Sequence, residues 1–525
     1  ASRAIPGVLC VLAGAWLLFA QADFGPKILM DEYSLASTAR NIHERGEVCV
    51  TTRVVAVGEN FRPSETAVDK RPWLYPLAVS LLHDILGYSE ANPYRLNAGL
   101  GLGLLGMAFW QGSRFGDVFT GLMAVLLWAS LPLLTQAASG GGMDLLNLCL
   151  IQFTIIAGAA FLRDPSPRRE GLLVLSGVLL AYARYESILF LAAVGLLLFI
   201  GMYRRGNFRL SWVSILAPFL LAPLILHLKA QFGQAAHYEM AAGVTAPFSL
   251  QHFSAHLPHA LVFLFNTGHD LANSFWFSAI GGLALILLVV GLRRDWKEHC
   301  QQPENLAFIV FIFALAVHLF VLLSYHAGQF TDLFASRFAL PFHLALLGAL
   351  LLVVSRLRHR AKPLCKALSL LSLLFIISFT MPMNAKAIFS ERSFVVREQA
   401  WLSKLREERL EPDSLIIDRF TIAWSLRDWV ALRPHHALLS HGLIHEGLRD
   451  GIYPGAYYVE RVVYNQGRFQ PAMEKLEPMH VRFPGELIAE RSFRPLMKTR
   501  VYQIHVPAKP VLGSAPPSTA SVAEK

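Results

Sequence analysis

What most constrains this chain is a series of apolar runs too many and too long for a water-soluble core. They fall at 5–19, 96–110, 118–134, 145–162, 172–183, 188–202, 212–228, 275–292, 308–323, 338–354 and 367–380. Runs of about 18 residues or more with few charges read as membrane-crossing helices, and shorter ones as tilted or protein-buried spans. The expected fold class is an all-α polytopic membrane protein with about eleven transmembrane helices. The composition agrees, with 54% hydrophobic and 16% charged residues in a chain of 525.

The first run ends in Ala20-Gln21-Ala22, which mimics a signal-peptidase site. Read instead as an anchor preceded only by Arg3, it leaves a cytoplasmic N-terminus. Basic residues then set the topology. Four clusters (Arg163, Arg168, Arg169; Arg204, Arg205, Arg209; Arg293, Arg294, Lys297; Arg356, Arg358, Arg360, Lys362) fall in alternate connections. All four are cytoplasmic only when 73–86 lies in the interface without crossing. That segment carries Pro76, His83 and Asp84, which an interfacial helix tolerates. The outward connections become 23–71, 88–94, 135–143, 184–186, 229–273 and 324–337, with everything after 382.

The net charge of +10 thus reads as cytoplasmic loops and contact with anionic lipid, not as a nucleic-acid surface, since no basic domain with aromatic platforms accompanies it. The five cysteines (Cys10, Cys49, Cys149, Cys300, Cys365) are scattered and imply neither a disulfide framework nor a cysteine metal site. After 384 the pattern changes. A helix is expected at 394–409, strands at 414–417, 437–439, 457–463 and 501–505, and a helix at 421–430, giving a small outward α/β domain at 385–506. The Pro/Ala/Ser-rich 507–525 reads as a disordered tail.

The outward loop 23–72 concentrates the chemistry. It opens on Asp31-Glu32, followed by a helix-like spacing, and closes on Asp69-Lys70-Arg71-Pro72-Trp73-Leu74-Tyr75-Pro76. Acids at one end and bases at the other, both at a membrane surface, suit a hydroxyl nucleophile and a phosphate leaving group. No phosphate-binding glycine loop, dinucleotide fingerprint or serine nucleophile elbow is present, which leaves nucleotide chemistry without support.

An acidic pair after the first hydrophobic helix, Arg71-Pro72 leading into Leu74-Tyr75-Pro76, then Gly87-Tyr88-Ser89-Glu90 and Tyr94-Arg95-Leu96, resemble the GT-C glycosyltransferases. The nearest branches are bacterial relatives of protein O-mannosyltransferase and of the lipid A aminoarabinose transferase. The resemblance covers roughly the first two thirds of the chain and makes 1–384 a GT-C-like catalytic domain. It implies inverting transfer of a sugar from a polyprenyl-phosphate donor to a protein, lipid or glycan acceptor at the outer face of a bacterial cytoplasmic membrane, with no cofactor. The alternatives are a lipid-linked sugar transporter and a non-catalytic subunit of the same fold.

The resemblance assigns Asp31 as the base that accepts the acceptor's hydroxyl proton. Glu32 is structural or positions Lys70 or Arg71. One of Lys70 and Arg71, with Arg337 in Ser336-Arg337-Phe338-Ala339-Leu340-Pro341, is expected on the donor phosphate. Asp144, after Ser139-Gly140-Gly141-Gly142-Met143, is expected to orient the acceptor, act on a metal or cap the helix it opens. Arg184 and Glu186 flank Tyr185 in a tight turn and are expected to pair beside the donor pocket. In the loop 229–273, His252, His256 and His259 share one helical face, a spacing open to a metal, but no acid completes the set and Pro258 is expected to disturb the helix. A mobile loop without metal is the reading preferred.

Overall fold

The computed structural model describes residues 4–20, 22–27, 29–57, 60–206, 208–232, 244, 246–357, 361–385, 394–465, 468–471, 478–494 and 496–505. The expected tail at 507–525, His237, Arg358 and Arg360 lie outside the described residues, as do the side chains of Arg293, Arg294, Lys297 and Cys300. The chain divides into two compact units, one of 1–50 with 67–397 and one of 51–66 with 398–525.

The first unit is helical. Its helices are α1 (Ala4–Phe19), α2 (Leu29–Arg45), α3 (Leu74–Leu86), α4 (Asn92–Phe115), α5 (Val118–Ala129), α6 (Pro132–Ser139), α7 (Asp144–Arg163) and α8 (Pro167–Ala181). They continue with α9 (Phe190–Arg205), α10 (Trp212–Phe232), α11 (Leu250–Phe265), α12 (Phe275–Gln301), α13 (Pro303–Ser324), α14 (Leu340–Leu357) and α15 (Ala361–Phe375).

Every expected apolar run is helical, yet among the described residues seven helices are long and apolar enough to cross a membrane, or eight with one bent pair. The chain is thus a multi-pass membrane protein, and the count of eleven is not reproduced on that measure. The reason is length and dilution. α1, α5 and α8 have 16, 12 and 15 residues, or about 18–24 Å against a hydrocarbon core of about 30 Å. α4 is long enough, but glycines, Asn97 and Gln111 dilute it.

The run expected at 118–134 is broken. α5 and α6 meet at 74°, because Pro132 in the first turn of α6 cannot continue the preceding ladder. The Ser130 carbonyl freed by the bend accepts from Thr380 Oγ1 at 2.9 Å.

α7 and α14 are the most enclosed of the spans, and their buried faces join those of α4, α5, α12 and α13 in one apolar core. Lipid is as apolar as leucine, so packing and close approach hold such helices together. At Gly112 of α4 a Cβ would meet the Thr120 carbonyl at 2.6 Å and Gly121 Cα at 2.8 Å on α5, so the crossing requires glycine. α10 buries almost nothing of its own and is tied to α8 by Tyr182, whose hydroxyl donates to Leu220 O at 2.6 Å and accepts from Leu224 N at 3.2 Å. The hydroxyl thus enters the helical ladder beside Pro223.

The second unit contains β1 (Val50–Val57) paired with β2 (Asn60–Ala67), and a six-stranded sheet. The sheet is built from β3 (Leu415–Ile417), β4 (Ala431–Leu432), β5 (Ala456–Asn465), β6 (Arg468–Pro471), β7 (Gly485–Arg494) and β8 (Met497–Ile504). Its order is β4-β3-β5-β8-β7, with β6 paired to β5; β3 runs parallel to β4 and β5, and the other pairs are antiparallel. Alternation along β5 sends Tyr457 and Val459 to one core with Leu402 and Leu405 of the helix Phe394–Arg409. Tyr458 goes to the opposite core with Ala437 and Ile444. The expected α/β character holds, with two corrections. Residues 437–439 belong to the helix Pro434–Leu439, which Pro434 opens with its fixed φ. The helix expected at 421–430 ends at Ser425, before β4.

Candidate active site

α2 starts at Leu29, so Asp31 and Glu32 stand in its first turn, where exposed N–H groups favour carboxylates. Being adjacent, they point apart. Glu32 is buried and holds the chain locally: its carboxylate accepts from Lys27 N and Gly141 N, both at 2.6 Å. At Gly140 a Cβ would lie 2.9 Å from Glu32 Oε1 and 3.0 Å from Gln136 O, which explains a glycine there. Asn97 Nδ2 on α4 donates to the carbonyls of Gly140 and Gly142 at 2.7 and 2.9 Å and fixes the same turn.

Asp31 points the other way, into two arginines. Arg71 gives its Oδ1 a forked contact through Nε at 3.1 Å and through Nη2, while Arg337 Nη2 donates to Oδ2. Arg71 also bonds Asp69 Oδ1 at 2.7 Å. Arg337 Nη1 lies 3.5 Å from Asp144 Oδ2, and Arg184 pairs with both Asp144 and Glu186. A continuous chain of charge therefore runs Asp69, Arg71, Asp31, Arg337, Asp144, Arg184, Glu186, drawn from segments far apart in sequence. The Phe338 ring lies between two of its cations, with the guanidinium carbons of Arg184 and Arg337 at 5.1 and 5.4 Å from the centroid.

The electrostatics follow. Burial works to raise the Asp31 carboxyl, but the guanidiniums of Arg337 and Arg71 outweigh it and hold it well below the usual carboxylate range. The same contact raises Arg71 against its own burial. Asp31 is thus a firmly held anion, and Arg337 Nε is a buried donor without a hydrogen-bond partner among the described residues. Two clefts flank Arg337. One, a narrow one, is bordered by Lys27, Glu32, Gln136 and Asp144, and the other, narrower still, by Arg184, Glu186 and His318.

The candidates from the sequence come together unevenly. Asp31, Arg71, Arg337, Asp144, Arg184 and Glu186 form one network. Glu32 serves the adjoining turn through its backbone contacts. Burial, then the nearby His252 and His256 and last Lys70, keep the His326 imidazole below its ordinary pKa. Asp144 opens α7 but no side chain caps that helix, and its oxygens meet arginines.

The histidine face exists, on a helix that runs through Pro258 without interruption, contrary to expectation. His252 and His256 bond the carbonyls of Ala246 and Leu323 at 3.1 and 3.0 Å, and His259 meets Thr331 Oγ1 at 3.1 Å. Among the described residues no three His, Cys, Asp or Glu side chains are placed to share a metal ion. Asp69 and His318 were missed in sequence. Asp69 was signalled by its place two residues before Arg71, and His318 by being an ionisable group within an apolar run.

No protein-family profile matches this sequence, and neither does any curated protein. Solved structures do. ArnT from Cupriavidus metallidurans bound to undecaprenyl phosphate aligns over 94% of this chain and 97% of its own, with a TM-score of 0.60 and 10% identity. Its apo state aligns over the same shares with a TM-score of 0.50 and 12% identity. An oligosaccharyltransferase from Archaeoglobus fulgidus, in the apo form, aligns over 90% of this chain and 75% of its own with a TM-score of 0.48 and 11% identity. At such identities the likeness is one of fold, and this chain has the GT-C fold.

Proposed function

We propose that this protein is an inverting glycosyltransferase that moves a sugar from a polyprenyl-phosphate donor to an acceptor hydroxyl at the outer face of a bacterial cytoplasmic membrane. The observation that carries the reading is the sharing of Asp31 between Arg71 and Arg337, one carboxylate held by two forks that also fit phosphate oxygens. ArnT, of like fold, binds undecaprenyl phosphate, which supports a lipid phosphate as the group that meets them.

The resting network explains an order of events. Asp31 is a weak base while both arginines hold it. Donor phosphate competes for the same guanidiniums, with the unpartnered Arg337 Nε as its first contact. As they turn to the phosphate, Asp31 loses the positive field and its pKa rises toward that of an effective base. The acceptor oxygen then attacks the anomeric carbon as its proton passes to Asp31. The bond from that carbon to the phosphate oxygen breaks with its electron pair on the phosphate, and polyprenyl phosphate departs, stabilised by the two arginines. Asp69 holds Arg71 in place, and Arg184 with Asp144 backs Arg337.

The chain's own groups supply base and charge, so the reading requires neither cofactor nor divalent metal. The alternating basic clusters support a cytoplasmic N-terminus and an outward second unit.

The test is a comparison of lipids and glycans from cells with and without the gene by mass spectrometry, followed by transfer with the purified chain and the donor so identified. Transfer that persists in chelator is expected. A chain that binds polyprenyl phosphate but transfers no sugar is the non-catalytic subunit. One that moves lipid-linked sugar across vesicles without forming a glycosidic bond is the transporter.

A further inference from the structure

The end of the bundle opposite Asp31 holds a cleft that the proposed reaction does not use. Asp144 and Arg163 stand at the two ends of α7, a helix of 20 residues, or about 30 Å long. At the Arg163 end, α4, α7, α8 and α13 border an open cleft, larger than either cleft beside Arg337.

Its polar groups are unbalanced. Arg114, Arg163 and Arg169 line it with a single acid, Glu304. Arg163 pairs with Glu304, Arg114 Nε lies 3.5 Å from the same oxygen, and Arg169 bonds the Ala160 carbonyl at 3.1 Å and lies 3.3 Å from Asp164. Arginines that merely snorkel fan out from a helix end. These three come from three helices and converge, so two compete for one carboxylate while 40–49% of each side chain stays exposed. Deeper in the cleft, Gln111 is 2% exposed, and its Oε1 accepts from Gln152 Nε2 at 2.6 Å. Its own Nε2 has no partner among the described residues. Guanidiniums in excess of their carboxylate ask for an anion.

The rest of the wall is apolar. Phe115 and Phe308 meet edge to face at 5.3 Å, with Ile155 and Ile156 beside them. Trp110 stands half exposed at the mouth, as aromatic side chains do at membrane interfaces. A soluble anion has no use for such a wall, whereas a lipid places its phosphate and its first chain carbons against the two surfaces together. We propose that this cleft is a specific seat for an anionic glycerophospholipid, its phosphate held by Arg114, Arg163 and Arg169 and its proximal chain carbons by Trp110, Phe115 and Phe308. On the orientation proposed above the lipid belongs to the cytoplasmic leaflet, although the seat itself does not depend on the reaction at Asp31.

Native mass spectrometry of the full chain in detergent, titrated with phosphatidylglycerol, phosphatidylethanolamine or glycerol 3-phosphate, tests this. Phosphatidylglycerol is expected to bind selectively, with about a 5-fold loss for each of Arg114→Gln and Arg163→Gln, and glycerol 3-phosphate is expected not to displace it. Glu304→Gln, which removes the competing carboxylate, is expected to tighten binding several-fold, and it tests the seat even where an arginine variant fails to fold. Equal binding of the two lipids, or affinity unchanged in all three variants, overturns the seat. Displacement by glycerol 3-phosphate at equal concentration reassigns it to a soluble anion and overturns the lipid.

Discussion

Two buried arginine–carboxylate clusters in this chain use the same parts in opposite proportion. In the first unit one carboxylate, Asp31, is shared by Arg71 and Arg337; in the second, one guanidinium, Arg461, is shared by Asp418 and Glu398. The second cluster is saturated. Asp418 also accepts from Phe420 N at 3.1 Å and Trp424 Nε1 at 2.8 Å, Glu398 accepts from the Thr499 hydroxyl, and both acids are fully buried. The first is not saturated: Arg337 Nε, Asp69 Oδ2 and Glu186 Oε2 lack partners among the described residues, and Asp31 is 23% exposed. A buried polar group without a partner costs about 1–3 kcal/mol. On the function proposed above, the incomplete cluster is the one that receives the donor. The acids differ accordingly. Two arginines hold Asp31 down, whereas burial outweighs half a share of Arg461 and pushes Glu398 up.

The largest effect expected is on turnover at Asp31. Asp31→Asn keeps the shape but removes the proton acceptor, so transfer is expected to fall about 10²–10⁴-fold. Binding of polyprenyl phosphate should hold or tighten, because the arginines lose their competitor. Wild-type turnover in this variant makes the open cluster as structural as the closed one. Next, Arg461→Met strands two buried acids and is expected to cost the second unit about 3–5 kcal/mol. Hydrogen exchange at β5 and β8 amides in the full chain measures it, and unchanged protection dissolves the contrast.

Arg337→Ala is expected to cost about 2–4 kcal/mol in kcat/KM for the donor, with Arg337→Lys recovering part. Donor kinetics unchanged in the alanine variant reduce Arg337 to an anchor. Smallest is Glu398→Gln, expected to change the second unit's stability by no more than about 1 kcal/mol. The sign has a pH signature. Because folding raises the Glu398 pKa, the wild-type acid carries a penalty at neutral pH that is relieved as pH falls through the folded value. Any advantage of glutamine should therefore be greatest at neutral pH and shrink in acid, and an advantage that grows in acid contradicts the direction given for Glu398.

The sequence singles out the charged candidates more readily than their partners. Asp31, Arg337 and one of Lys70 and Arg71 stand out through the resemblance to the GT-C glycosyltransferases, which gives each a recognisable setting. That Arg71, not Lys70, turns to Asp31 was hidden, since adjacent residues diverge by the geometry of their turn and only the fold fixes which way. Asp144 reads best as a helix cap, because its position says nothing of Arg184, forty residues on. The break at Ser130-Leu131-Pro132 was legible in Pro132 and was passed over within an apolar run. The helix at Pro434–Leu439 is legible in the same way, since Pro434 favours a helix start over the strand that 437–439 alone suggest. Gln111 and Gln152 pair across two helices, a contact that no local pattern announces.

Arg337 Nη2 reaches Asp31 across 306 residues of sequence. At about 5–20 residues per second, a ribosome needs roughly 15–60 s to make the stretch between them. During that interval Asp31 and Arg71 already exist while the second arginine does not. The site is thus a late product of synthesis, completed only when the segment before α14 has been made, and a chain stalled or cut before it carries the acid without its counterpart.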